Sequence, residues 1–283
     1  MKVLITGATG NVGKEVVNTL SSYEDISLFA GVRDIERSKK LFLENNCSFC
    51  SLDFEKGIYP NISFDAIFLV RPPHLADPKV FKKFLEQYQN AKVVFLSVQG
   101  AEKKSYLPHA KIEKVILELN IKHVFIRPSY FMENLTTTLY DELLLNKRIY
   151  LPSGELKFNW IALSDVAEIS SKALISDIPQ ETVDVSNNEF YSFSEVVKMI
   201  NDVTGSDIKY VSPSLLAFVF NSIKRKVKIS FISVMLLLHY LPKFSKRSQE
   251  VTSQYRSVMG KSPRKLSEFI KYNKKNFSFI KQG

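Results

Sequence analysis

Cysteine is scarce: Cys47 and Cys50 are the only two in 283 residues, which excludes the disulfide framework of small secreted domains. Long apolar runs are missing as well. The longest, Ile229 to Leu241, stops at about 13 residues between Lys228 and Pro242, whereas a membrane-spanning helix needs ~20. Met1-Lys2 runs straight into Val3-Leu4-Ile5, so no leader pattern opens the chain, and a cytoplasmic protein is expected. The four histidines show no metal-ligand spacing, and Cys47-Ser48-Phe49-Cys50 has no second ligand pair, so no metal site is expected. No G-x-S-x-G elbow exists, which argues against an esterase. Acidic residues are rare late in the chain: from Lys209 onward 16 Lys and Arg face only Glu250 and Glu268, while the residues before it carry 23 basic and 27 acidic side chains. Such asymmetry fits an anionic partner such as nucleic acid or acidic lipid. A solvated basic face is the reading preferred here. By the same preference, Ile229 to Leu241 is expected to be a buried helix with a basic start, rather than one lying on a membrane surface.

What is present is a rhythm. Apolar runs at Val3 to Thr6, Ile26 to Val32, Phe49 to Leu52, Ala66 to Val70, Val93 to Val98 and His123 to Arg127 alternate with amphipathic stretches at Gly13 to Leu20, Ile35 to Asn45, Pro78 to Gln89 and His109 to Leu119. Near-continuous apolar strands separated by helices specify a parallel sheet covered on both faces. The rhythm loosens after residue 130. Val183 to Val185 reads as one more strand, and Ser192-x-x-Glu195 is a capping box opening a helix that Gly205 closes. The expected architecture is an α/β, doubly wound parallel sheet over residues 1–150. Residues 151–283 form a smaller, mostly helical C-terminal lobe interleaved with the last strands, and such a lobe usually carries the substrate pocket.

Gly7-Ala8-Thr9-Gly10-Asn11-Val12-Gly13 follows the first strand and opens the first helix. That context makes it a phosphate cradle. Gly7 permits the turn, Gly10 admits a pyrophosphate, Gly13 lets helix and strand pack closely, and the helix N-terminus presents unpaired N–H groups. The second strand ends Gly31-Val32-Arg33-Asp34. Arginine there accommodates the 2'-phosphate of NADP, whereas an acid would hold the ribose of NAD. NADP (NADPH) is therefore the expected cofactor, with NAD the alternative that Asp34 keeps open; Lys39 is a secondary phosphate contact. Ligands of open parallel sheets lie at the strands' carboxyl ends. Asp53 and Phe54, Val70 and Arg71, and Ser97 occupy such ends, the first two facing the adenine.

The spacing G-x-x-G-x-x-G in "TGATGNVG" resembles the extended and atypical branches of the short-chain dehydrogenase/reductase superfamily, with its Rossmann-type fold. "IRPSYFMENL", "FNWIALSDVAEIS" and "VMGKSPRKLSEFI" narrow the resemblance to the NmrA-like branch, which includes NADPH-dependent quinone reductases and NADP-binding regulators without activity. The likeness covers nearly the whole chain, with Leu215 to Lys246 least familiar. One motif departs from it. The superfamily's Tyr-x-x-x-Lys falls on Ser105 and His109, and a serine hydroxyl is a poor acid; Tyr106 is expected on the same helix, pointing elsewhere. Quinone reductases are the nearest family pattern with histidine there. Hydride transfer to a quinone needs only a weak acid, which His109 could supply at its ordinary pKa near ~6.5. The resemblance further implies that Tyr130, Phe131, Asn134 and Trp160 line an apolar cleft for a flat, quinone-like small molecule. Asp165 is expected to be a helix N-cap. Two functions follow: an NADPH-dependent oxidoreductase, or a catalytically silent NADP-binding sensor acting through a protein partner.

Overall fold

Lys2–Ile5 form β1, in which Val3, Leu4 and Ile5 are fully buried, as a strand covered on both faces must be. The structure is a computed structural model that describes residues 1–42, 44–244 and 252–278. The chain continues through α1 (Asn11–Leu20), β2 (Ser27–Val32), α2 (Ile35–Lys39), β3 (Ser48–Ser51), β4 (Ala66–Val70), α3 (Pro78–Gln87), β5 (Lys92–Leu96), α4 (Pro108–Glu118) and β6 (His123–Pro128). It then builds β7 (Tyr130–Phe131), α5 (Tyr140–Asn146), β8 (Arg148–Tyr150) and β9 (Phe158–Ile161). After α6 (Leu163–Ile175) and β10 (Thr182–Val185) come β11 (Phe190–Tyr191), α7 (Phe193–Thr204), β12 (Lys209–Val211), α8 (Leu215–Lys224) and α9 (Ile229–His239). Three short helices, α10 (Gln254–Met259), α11 (Leu266–Tyr272) and α12 (Lys274–Ser278), follow.

These elements divide into two units. The first comprises Met1–Ser129, Leu163–Val185 and Ser253–Pro263. Its sheet has seven strands in the order β10-β6-β5-β4-β1-β2-β3, every adjacent pair parallel, which is the doubly wound Rossmann arrangement extended by one strand. α1 packs beside α6, and α3 beside α4. The α3 and α4 side is an aromatic core in which Phe81, Phe84, Phe95 and Ile116 are fully buried. Between β1 and β4 the strand order reverses, so the crevice at their carboxyl ends is where a ligand of this fold belongs.

The second unit comprises Tyr130–Ala162, Ser186–Thr252 and Arg264–Gly283. Its core centres on Trp160, Phe193, Leu143 and Ile200. The division falls at Ser129 rather than at residue 150, because β7 pairs with β9 (Tyr130↔Trp160) instead of joining the large sheet.

Local signals mostly hold. Ser192 and Glu195 form a reciprocal capping box, and Gly205 closes α7 in the left-handed region at φ 66°. Three expectations are corrected. α2 ends at Lys39 rather than Asn45, since the Ser38 hydroxyl donates back to the Asp34 carbonyl and Leu41 and Phe42 close tighter i to i−3 turns; Leu43 lies outside the described residues. Asp165 sits inside the first turn of α6 rather than at its cap. There it accepts from the Tyr255 hydroxyl at 3.3 Å and complements the helix dipole. α9 is not a buried helix: only Ile232, Met235 and His239 of its eleven residues are buried. Among the described residues no helix is long and apolar enough to cross a membrane.

Candidate functional site

β1 and β4 stay stitched one residue past the end of β1. Thr6 N–H donates to the Phe68 carbonyl at 2.9 Å, and the Thr6 hydroxyl accepts from Val70 N–H at 2.8 Å. The chain then turns through Gly7 at φ +59°, and Gly10 N–H closes the turn on the Gly7 carbonyl at 2.9 Å. The three glycines are crowded to different degrees. A Cβ on Gly7 would lie 3.1 Å from Val70 Cβ, one on Gly10 3.2 Å from the Gly7 oxygen, and one on Gly13 only 2.2 Å from that oxygen. Gly10 is also the N-cap of α1 and brings no side chain, so the helix opens without a side-chain cap; its first turn carries no acid. The opening N–H groups of Asn11, Val12 and Gly13 have no carbonyl one turn earlier to bond, and they add the positive end of the dipole. Thr9, Gly10 and Asn11 are exposed there, while Val12 and Gly13 are buried. Bare donors on an exposed turn at the switch point make an anion cradle of a shape that suits a diphosphate.

At the end of β2, Gly31 lets the strands close up: a Cβ would meet Leu52 Cδ1 at 3.1 Å and the Ile5 carbonyl at 3.3 Å. Arg33 is exposed, and among the described residues it makes no hydrogen bond or ion pair. Asp34, the alternative ribose ligand, is committed elsewhere, since it caps α2 by accepting from Arg37 N–H at 3.0 Å. Lys39 is paired with Glu36 at 2.7 Å. Asp53 Oδ1 accepts from Glu55 and Lys56 N–H at 3.0 and 3.2 Å and closes a turn. The Phe54 ring is core rather than an adenine platform, with Phe81 and Phe84 centroids both at 5.2 Å.

Past β4 the Arg71 guanidinium donates to three carbonyls of its own loop, Pro72, Pro73 and Leu75, at 2.9–3.0 Å. Its Nε reaches toward His109 Nε2 at 3.5 Å. Burial, and then the Arg71 charge, push the His109 pKa down to about 4. The ring is therefore neutral at pH 7, which corrects the expectation that it titrates near its ordinary value. Ser105 and Tyr106 are exposed and precede α4, which starts at Pro108, so Tyr106 does not share the helix of His109. Ser97 is buried and donates to Glu113 Oε1 at 2.5 Å. Glu113 in turn holds Arg127 in a bidentate pair at 2.6 and 2.9 Å, and Arg127 NH1 reaches Glu102 at 2.9 Å. Sequence reading missed this network. Its signal was present as a charge of each sign inside an apolar pattern, Glu113 in the buried stripe of α4 and Arg127 within β6.

In the second unit, Tyr130, Phe131 and Asn134 are partly buried, whereas Trp160 is 1% exposed and donates its indole N–H to the Tyr191 carbonyl at 3.1 Å. Trp160 is thus core, holding Tyr130 edge-on at 4.8 Å. A cavity of about 190 Å³ in this unit has Ile149, Phe218, Ile232 and Met235 among its walls, and it is not lined by Tyr130, Phe131, Asn134 or Trp160. Tyr130 Oη lies 3.1 Å from His239 Nε2, and His239 Nδ1 lies 2.9 Å from the Met235 carbonyl. A carbonyl only accepts, so Nδ1 carries the proton and Nε2 accepts from the tyrosine. Burial pushes the His239 pKa down to about 4 and raises that of Tyr130.

An acid-stability effect follows. Between pH ~6.5 and ~4 the unfolded chain holds the His239 proton and the folded chain does not, so stability is lost as pH falls through that window. The loss from this residue is roughly 3 kcal/mol at most. Urea unfolding at pH 7.5 and 4.5 should show a smaller acid loss in His239→Gln than in the wild type; equal losses would remove His239 as the cause.

Among the described residues no group of three His, Cys, Asp or Glu side chains is placed to hold a metal. Cys50 is buried, its pKa pushed up to about 11 by that burial.

No family model matches the chain. It is 29% identical over 219 residues to the Prestalk A differentiation protein A of Dictyostelium discoideum, covering 74% of this chain and 72% of that protein. It is 26% identical over 278 residues to the uncharacterized oxidoreductase YesF of Bacillus subtilis, covering 94% and 93%. Among solved structures, the Escherichia coli NADPH-dependent quinone oxidoreductase QOR2 complexed with NADPH superposes with a TM-score of 0.80 at 14% identity, covering 95% of this chain and 99% of that one. The chain shares its Rossmann-type fold with that NADPH-dependent reductase over nearly its whole length.

Proposed function

We propose that the protein is an NADPH-dependent oxidoreductase that reduces a small, flat, apolar acceptor of the quinone class. The observation that carries this reading is the uncapped N-terminus of α1 behind Gly7, Gly10 and Gly13, at the reversal point of the sheet. A Cβ on Gly13 would strike the turn that shapes this cradle. Residues 7–13 hold the diphosphate, and Arg33, exposed and without a partner among the described residues, takes the 2'-phosphate. Asp34 is already spent as a helix cap, which weakens the NAD alternative. Bound NADPH would supply the hydride.

What the chain's own residues do about protons narrows the acceptor. Ser97 is tied to Glu113, Ser105 is exposed ahead of α4, and His109 is a neutral ring against Arg71. None of them is a strong acid at pH 7. An acceptor whose reduced oxygen takes its proton from water suits such a site, and a quinone is one. Tyr130, Phe131 and Asn134, partly buried in the second unit, are the proposed acceptor contacts, and His109 a neutral hydrogen-bonding group for the cofactor ribose.

The same lack of an acid favours a second reading, an NADP-binding sensor that makes no product. NADPH oxidation across a panel of quinones and enones separates the two. Acceleration by at least one quinone is expected. Tight NADPH binding with no acceptor-dependent oxidation would leave the sensor.

Arg33→Ala is expected to weaken NADPH binding by roughly 5- to 150-fold, the range for a lost charge-assisted hydrogen bond of about 1–3 kcal/mol, with NADH binding little changed. Equal losses for both coenzymes would refute the role given to Arg33.

A further inference from the structure

We infer that α8 and α9 form a docking surface for an anionic lipid bilayer. Leu216, Phe220 and Ile223 of α8 are 80%, 73% and 57% exposed, and their spacing of four and three places them on one face. Phe231, Val234 and Leu238 of α9, at spacings of three and four, are 43%, 47% and 45% exposed. The buried residues of α8, Phe218 and Ser222, lie on its other side. α8 therefore has an apolar stripe toward solvent besides the one toward its own core. Single exposed apolar residues are ordinary, but two stripes in helical register on adjoining helices are not.

Charge selects the occupant. Lys224 ends α8, the link between the helices carries Lys226 and Lys228, all three exposed, and Lys243 follows α9. From Lys209 to Gln249 the sequence holds no acidic residue at all. A second copy of the chain would bring the same positive surface and be repelled, whereas an anionic leaflet is attracted by each cation near it. Residues 1–208, with more acids than bases, are not drawn to such a leaflet, so the attraction is confined to this region. With ten and eleven residues the helices reach only ~15–17 Å, about half the ~30 Å hydrocarbon core, so they lie in the interface and do not span it. This docking is independent of the identity of the acceptor.

Sedimentation of the full chain with large unilamellar vesicles tests it. Phosphatidylcholine vesicles containing 30% phosphatidylglycerol should retain the protein at least about tenfold better than phosphatidylcholine alone, with retention falling at 0.5 M salt. Phe220→Ser with Leu238→Ser, both at exposed positions, should lower partitioning by about tenfold or more with an unchanged thermal midpoint. Lys226→Gln should lower it by about fivefold, the effect expected of one cation near the surface. No preference for anionic vesicles, or equal retention of the Ser variant, would overturn the proposal. So would a concentration-dependent dimer in sedimentation velocity that the same Ser variant abolishes, since a second copy would then be the occupant.

Discussion

Gly13→Val is expected to lower NADPH affinity by at least about 100-fold, close to 2.7 kcal/mol, in protein that still shows the circular dichroism of the α/β fold. Even the first carbon of the new side chain would stand 2.2 Å from the Gly7 carbonyl oxygen, 2.8 Å from its carbon and 3.0 Å from Ala8 Cα. All three are backbone atoms of the turn, so no rotamer relieves the overlap. Either the turn opens or α1 moves away from β1. Both displace the N–H groups of residues 11–13 from the place where the phosphates must sit, and a binding array loses strongly with a shift of order 1 Å. The thermal midpoint should also fall, because Val12, Val16, Val17 and Leu20 anchor α1 in the core. Gly10→Ala, whose Cβ meets the same oxygen at 3.2 Å, a tight contact that a shift of a few tenths of an ångström relieves, should lose far less. Equal and small effects at both positions would show that the close approach at Gly13 does not shape the cradle.

The second large effect concerns stability. Glu113→Ala should destabilise the chain by about 3–5 kcal/mol, the cost of leaving one partner of a buried ion pair without the other. Arg127 and Glu113 are 9% and 5% exposed, and the carboxylate also receives the Ser97 hydroxyl. After the substitution the Arg127 guanidinium keeps only its bond to Glu102 among the carboxylates it now bonds, and Ser97 loses its acceptor. Glu113→Leu combined with Arg127→Met removes both charges and should recover most of the loss. A single-variant cost below about 1 kcal/mol in urea unfolding would mean the pair is solvated in solution, as an exposed pair would be.

The parts of this molecule legible in the sequence are those that short-range physics writes. β4 runs over Ala66–Val70 as its apolar run predicts, because a strand covered on both faces leaves a continuous apolar signature. The capping box at Ser192 and the left-handed Gly205 are likewise local. The glycine loop was legible because its three residues act within seven positions.

What escaped depends on distance along the chain. Nothing near Phe54 says that its ring turns inward onto Phe81 and Phe84 rather than out toward a ligand. His109 looks like an ordinary titrating histidine until folding brings Arg71, 38 residues away, against it. Tyr130 and His239 meet across 109 residues. The apolar run from Ile229 gave the right helix and the wrong environment, since apolar content cannot distinguish a helix facing a core from one left open to solvent. The passage from one unit to the other at Ser129 was missed because the partner of β7 is thirty residues downstream.

The most direct test of the dinucleotide site is calorimetric titration of NADPH into the wild-type chain, with Gly13→Val as its control. Saturable uptake near one equivalent, tighter for NADPH than for NADH and lost in the variant, is the expected result. A folded wild-type protein that takes up neither coenzyme would contradict the site, and the proposed reductase with it.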